Sequence, residues 1–208
     1  MNMGVYRDQV LPRLIDKVCG TADLGRTWRS RALAGTFGTV VEPGFGSGTN
    51  LPWYPPEVTK VYAVDPAVLG QKLAAGRLAA TDIEVEFIGL DGQKLPLEDN
   101  SSDAGVLTFS LCTIPDPLVA LGELRRVIKP GGSLHFLEHG KANTRSMLRW
   151  QQRIDPVQKR LFDGCHVSRD HPALIREAGF EIDWAEASYA QGPTPWSYFH
   201  IGKATNPR

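Results

Sequence analysis

The chain has 208 residues, 42% of them hydrophobic and 22% charged, a size and balance that fit one soluble globular domain around a single core. Lysine plus arginine equals aspartate plus glutamate at 23 each, and zero net charge argues against nucleic acid or an anionic membrane as the main partner. Charges also interrupt "MNMGVYRDQVLPRLIDKVCG", which excludes the apolar core of a signal peptide or a membrane span there, so a cytoplasmic protein is expected.

Along the chain, Val5, Val10, Leu11, Leu14, Ile15 and Val18 recur at near-helical spacing and predict a helix over 5–18. The basic stretch "GRTWRSRALAG" follows, so residues 1–35 read as a helical cap on a core over 36–208. Strands are predicted at 36–42 ("TFGTVVE"), 60–65 ("KVYAVD"), 83–89 ("IEVEFIG"), 103–110 ("DAGVLTFS") and 133–139 ("SLHFLEH"). Between them, 66–80 reads as a helix with Leu69, Leu73 and Leu78 inward, and 116–128 as a helix stopped by "KPGG". Residues 144–162 and 171–180 are helical in pattern, and "EIDWAEASY" and "WSYFHIGKA" close the chain as strands. Alternating strands and helices predict a Rossmann-like, doubly wound α/β sheet of about seven strands. It is mostly parallel, with an antiparallel C-terminal hairpin at one edge. Ligands of such sheets sit at the carboxyl ends of the strands.

The turn after the first strand, "GFGSG", is G-x-G-x-G. It is neither the G-x-G-x-x-G of dinucleotide folds nor a Walker loop, which needs a lysine. Taken alone it also fits a tight turn that holds no ligand. The acidic residues at successive strand ends narrow the choice. Asp65 can accept from both hydroxyls of a ribose, and Asp91 from an adenine amino group, with Gly92 and Gln93 beside it. Glu42 can meet an ammonium, directly or through water. An ammonium, a ribose and an adenine without phosphate describe S-adenosylmethionine.

At this point the sequence resembles the class I S-adenosylmethionine-dependent methyltransferases over nearly its whole length. The segments are "VVEPGFGSGTN", "VYAVDP", "LDGQKLPLEDNSSDAGVLTFSLCTIPDP" and "LRRVIKPGGSLHFLEHG". "NLPWYPP", "LCTIPDP", "LEHG" and "RWQQRIDPVQKRLFDGCHVSRD" are similar, more narrowly, to the methyltransferase-like thiol S-methyltransferases and their soluble bacterial relatives. Two departures stand out. The animal members of that branch are membrane-anchored whereas no anchor is visible here, and Pro43 takes a turn position where a small or β-branched residue is usual. The resemblance implies cofactor roles for Gly44, Gly46, Gly48, Asn50 and Pro66. It places the methionine end of the cofactor at Ser110, Leu111 and Cys112.

Direct transfer from a sulfonium, leaving S-adenosylhomocysteine, is mainly a matter of alignment, which supplies roughly 7–11 kcal/mol. A thiol acceptor of pKa about 8.5 is partly ionised at neutral pH and needs little help, while an oxygen or carbon acceptor needs a firm base. His139, Asp163 and His166 are the candidate catalytic residues. Tyr54, Cys112, Trp150, Phe162, Cys165 and Trp196 are the candidate walls of an apolar acceptor pocket. Each of these also has a purely structural reading, as packing or a local hydrogen bond. The helix over 5–18, with Trp150 and Phe162, is expected to lid the site. No metal is expected: HExxH is absent, and Cys19, Cys112 and Cys165 are scattered without a CxxC pair. The expected partner is a small-molecule acceptor, best a thiol, bound by a monomer or homodimer. The alternatives are O-, N- or C-methylation of a phenol, quinone, heterocycle or lipid headgroup, an NAD-dependent oxidoreductase, or a cofactor-binding module without turnover.

Overall fold

A seven-stranded sheet of order β3-β2-β1-β4-β5-β7-β6 organises the chain. The computed structural model describes residues 3–66, 68–162 and 164–207. The strands are β1 (Gly38–Pro43), β2 (Val58–Val64), β3 (Glu84–Gly89), β4 (Ser102–Thr108), β5 (Ile128–His139), β6 (Glu181–Tyr189) and β7 (Tyr198–Thr205). The first five are parallel, and β7 lies antiparallel between β5 and β6. The principal helices are α1 (Leu11–Cys19), α2 (Val68–Ala79), α3 (Pro117–Val127), α4 (Arg145–Leu161) and α5 (His171–Glu177). Helical turns over 3–10 precede α1, and a further helical segment spans 22–33.

Period-two alternation gives the sheet its two apolar faces. On β1, Val41 packs with Leu107, Leu124, Ile128 and Phe136 on one side, while its neighbour Val40 packs with Leu33, Phe45, Val61 and Val106 on the other. Asp116 caps α3 by accepting from Leu118 N and Val119 N, and Pro117 follows at the first helical position, where no donor is missed. Asp170 caps α5 through Ala173 N in the same way.

Three details differ from the sequence reading. On α2, Leu69, Leu73 and Leu78 are only partly buried, and the deep contacts are made by Ala74 and Gly70. The "KPGG" bend lies inside β5, which starts at Ile128. Gly131 takes a left-handed φ of 78° there, and the Asn206 side chain donates to Arg125 O and Ile128 O to satisfy the end of α3. The N-terminal helical run buries Leu11 but leaves Val5, Val10, Leu14, Ile15 and Val18 exposed, because it spans an opening in the surface and does not pack flat on the core. No described helix is long and apolar enough to cross a membrane.

The chain leaves β1 toward β2 and β3, then returns on the other side to β4. The carboxyl ends of β1 and β4 therefore diverge at the point where open α/β sheets bind ligands.

Candidate active site

At that point the three glycines of "GFGSG" let the backbone turn sharply, with φ of 80°, 56° and 71° at Gly44, Gly46 and Gly48. A β-carbon on Gly44 would stand 2.3 Å from Ser110 Cβ, so this turn seats directly on the end of β4. One on Gly46 would meet nothing closer than Gly44 O at 3.8 Å, so its α-carbon faces open space. Gly70 on α2 has no β-carbon where one would lie 2.7 Å from Gly46 O, which allows the helix to close on the turn.

The open space is a cavity of about 410 Å³, within the usual small-molecule range of roughly 300–1,000 Å³. Gly44 and Gly46 form its floor. Asp65 and Pro66 stand at the end of β2, Asp91 and Gly92 after β3, and Thr108, Phe109 and Ser110 at the end of β4. Leu11, Ile15 and Cys19 of α1, with Phe162 after α4, close the far side. Asp65 is 7% exposed and accepts from Gly46 N at 2.7 Å, which ties the second strand to the glycine turn. Asp91 forms an Asx turn by accepting from Gln93 N at 2.8 Å. Pro43 also lines the cavity and packs against Gly92, where a β-carbon would come within 3.1 Å of it.

Of the cofactor residues expected from the sequence, Gly44, Gly46, Asp65, Pro66, Asp91, Gly92 and Ser110 share this wall, and Glu42, Gly48, Asn50, Gln93, Leu111 and Cys112 stand behind it. The Glu42 carboxylate accepts from Asn50 Nδ2 at 2.8 Å and Tyr54 OH at 2.6 Å. Gln93 turns away to accept from Asp116 N, and Gly48 packs on Leu51 and Phe45. Glu138, wholly buried, accepts from the backbone N–H groups of Ser110, Leu111 and Cys112 and so holds the loop after β4.

Of the expected acceptor residues, Phe162 lines the cavity and Tyr54, Cys112, Trp150, Cys165 and Trp196 do not. Trp150 is 54% exposed on the outside of α4, and Trp196 Nε1 donates to Gln158 Oε1. His139 packs edge-on to Phe199 and tilted against Phe109, and His166 N donates to Cys112 O. Neither histidine reaches the wall. Asp163 lies outside the described residues. Arg169 bonds the carbonyls of Leu111 and Ile114.

The sequence reading missed Arg29 and Phe109. Arg29 is 2% exposed yet lines the cavity, donating to Asn50 Oδ1, Thr108 Oγ1 and Cys19 O. Its Nε is buried with no partner, and so is the Ser110 Oγ. Buried polar atoms are seldom left unpaired, and here both belong to residues of the cavity wall. Phe109 adopts a left-handed φ of 54°, a strain of order 1–3 kcal/mol that such sites sustain, and lies 5.5 Å from the Arg29 guanidinium.

Asn50 bridges Arg29 and Glu42, so the three act as one buried polar unit. Burial pushes Glu42 up to about 7 from its ordinary 4.5, against the opposing pull of Tyr54, Asn50 and Arg29. A carboxyl raised in the folded state contributes stability that is fully present below about 4.5 and lost as pH climbs through about 7, on the order of 3 kcal/mol. We expect Glu42→Gln to remove that decline. Melting curves from about pH 5 to 8 should show wild type losing stability relative to the variant, and parallel curves would contradict the assignment.

Asp16 on α1 accepts from Ser47 Oγ at 2.6 Å and from Arg77 at 2.8 Å, fastening the helix over the cavity to both the glycine turn and α2. For Asp16→Ala we expect cofactor affinity to fall about tenfold with a Tm change of only a few degrees. An unchanged affinity would mean that α1 does not act as a lid.

The chain matches the family described as "Methyltransferase domain" over residues 41–136. It is 32% identical to thiol S-methyltransferase TMT1B of Homo sapiens over 178 residues, 83% of this chain and 71% of that protein. It is 34% identical to the Rattus norvegicus protein of the same name over 79% of this chain and 67% of that one, so it spans about two thirds of these relatives' length. A demethylmenaquinone methyltransferase of Clavibacter sepedonicus is 33% identical over 57% of this chain and 49% of its own length. Among solved structures, a SAM-dependent methyltransferase of Methanosarcina mazei has the same fold. Its TM-score is 0.66 at 21% identity, over 85% of this chain and 96% of that one.

Proposed function

We propose a thiol acceptor on this premise: the chain belongs to the class I S-adenosylmethionine-dependent methyltransferases, in the branch of the thiol S-methyltransferases. The residues present suit the cofactor. Asp65 and Asp91 offer acceptors for its ribose and adenine, Gly46 leaves room for it, and the unpaired Ser110 Oγ and Arg29 Nε offer polar contacts. In this reading Arg29 receives the cofactor's carboxylate. Glu42 influences its ammonium from behind the wall, through Asn50. When bound, S-adenosylmethionine supplies a sulfonium-activated methyl group. The chain holds the donor in line, keeps water out beneath α1 and Phe162, and presents an apolar wall to the acceptor.

One observation carries the choice of acceptor. Among the described lining residues the ionisable ones are Cys19, Arg29, Asp65 and Asp91, with no histidine or lysine to serve as a base. A thiol ionises near neutral pH without one, whereas a carbon or oxygen acceptor needs its proton removed. A quinone or phenol acceptor is the second reading, favoured by the likeness to demethylmenaquinone methyltransferase.

The test is turnover with S-adenosylmethionine against small thiols, phenols, quinones and amines, with release of S-adenosylhomocysteine followed and the methylated atom identified by mass spectrometry. A thioether product is expected. Methylation confined to oxygen, nitrogen or carbon would refute the thiol reading.

A further inference from the structure

Cys112 and Cys165 are 53 positions apart in sequence, and the fold brings their sulfurs to 3.6 Å. Cys112 lies on the loop after β4 and Cys165 on the loop after α4, at 1% and 6% exposure. His139, the last residue of β5, completes the group, and one atom from each of the three side chains lies within 4.8 Å of the others. From this juxtaposition we infer that Cys112, His139 and Cys165 form a binding site for a thiophilic divalent cation, zinc by ligand type, with three ligands from the protein.

The geometry suits that ion. Two zinc–sulfur bonds of about 2.3 Å at the tetrahedral angle hold their sulfurs roughly 3.8 Å apart. The observed 3.6 Å therefore needs almost no adjustment, and a ring nitrogen of His139 lies within 4.8 Å of both sulfurs. A second observation points the same way. His139 Nδ1 is buried without any hydrogen-bond partner, an unpaired state that a bound ligand would relieve.

The group is also held in place independently of any ion. Cys112 N donates to Glu138 Oε2, Cys112 O accepts from His166 N, and Cys165 N donates to Phe162 O. Phe109 and Phe199 fix the plane of the His139 ring. Such outer contacts are what orient metal ligands. Two soft thiolates and one imidazole select zinc over magnesium or calcium, which prefer oxygen. A bound ion would join the ends of β4 and β5 to the loop beside Phe162, stiffening one wall of the cavity.

None of the three side chains lines the cavity assigned to S-adenosylmethionine, and metal content is read without turnover, so its failure is distinguishable from failure of the thiol reading. The test uses the full chain kept reduced, loaded with zinc, dialysed, and measured for metal by mass spectrometry. One zinc per chain is expected. It should be lost in Cys112→Ser and Cys165→Ser, kept in Cys19→Ser, and replaceable by cobalt with a thiolate charge-transfer band that Cys165→Ser abolishes. If a serine variant does not fold, the cobalt spectrum of wild type decides the matter: a thiolate charge-transfer band with tetrahedral d–d bands is expected, and their absence from the cobalt-loaded chain would overturn the site. A reduced chain that takes up neither zinc nor cobalt would overturn the site, and so would a Cys112–Cys165 disulfide whose reduction yields no metal binding. Equal zinc in the double serine variant would overturn it too.

Discussion

Replacing Asp65 by alanine should lower the affinity for S-adenosylmethionine by roughly 10²- to 10⁴-fold. A carboxylate that accepts from two ribose hydroxyls makes two charge-assisted hydrogen bonds, each contributing about 1.5–3 kcal/mol. The same side chain anchors Gly46 N, so the alanine variant also loosens the glycine turn. Asp65→Asn separates the two effects, since an amide oxygen can still accept from Gly46 N but carries no charge. We expect the asparagine variant to keep its melting temperature and lose about ten- to a hundredfold in affinity. Equilibrium dialysis against labelled cofactor reads this directly. Affinity within threefold of wild type for Asp65→Ala would show that the cofactor does not use the end of β2.

Arg29→Met should have the second largest effect. The guanidinium is the cation among the described residues of the cavity wall, and its Nε is unpaired. Losing a charge-assisted contact to the cofactor's carboxylate should weaken binding by roughly 10- to 100-fold. The variant also strips a donor from Asn50 and Thr108, at a stability cost of about 1–3 kcal/mol. A cofactor analogue without its carboxylate isolates the contact by a double-mutant cycle. Wild type should bind the analogue much more weakly than the parent compound, and Arg29→Met should hardly distinguish the two. If the variant discriminated between them as well as wild type does, the carboxylate would have to sit elsewhere.

Much of the scaffold and half of the cavity wall could be read from local pattern. β-branched runs such as "TFGTVVE" and "KVYAVD" announce strands within a residue or two of where they lie, and the three glycines after β1 announce a turn that needs positive φ. Asp65 was legible because a carboxylate at a strand end falls at the carboxyl edge of the sheet. Arg29 was not. It sits in "GRTWRSR" beside Arg26 and Arg31, and what buries it is a pair of partners 21 and 79 positions away. Phe109 gave no sign either, since its positive φ is imposed by the structure around it on a residue that disfavours it. The aromatics misled for a related reason. Composition reveals that large rings are present, but the orientation of α4 decides that Trp150 faces outward while Phe162 faces the cavity. The distant cysteines are the extreme case, because their meeting depends on two loops on different strands and helices.

The position of β7 has a consequence for how the molecule is made. It follows the other described elements in sequence, yet it lies inside the sheet, hydrogen-bonded to β5 on one side and β6 on the other. During synthesis on the ribosome, β1 to β5 can assemble early, but the outer flank of β5 stays open until β7 emerges. A newly made chain therefore displays an unpaired β edge, a known route to intermolecular pairing. β6 has no seat to dock on during that interval. Completion of the sheet thus waits on β7, and slow translation of the segment that encodes it would lengthen the period of exposure.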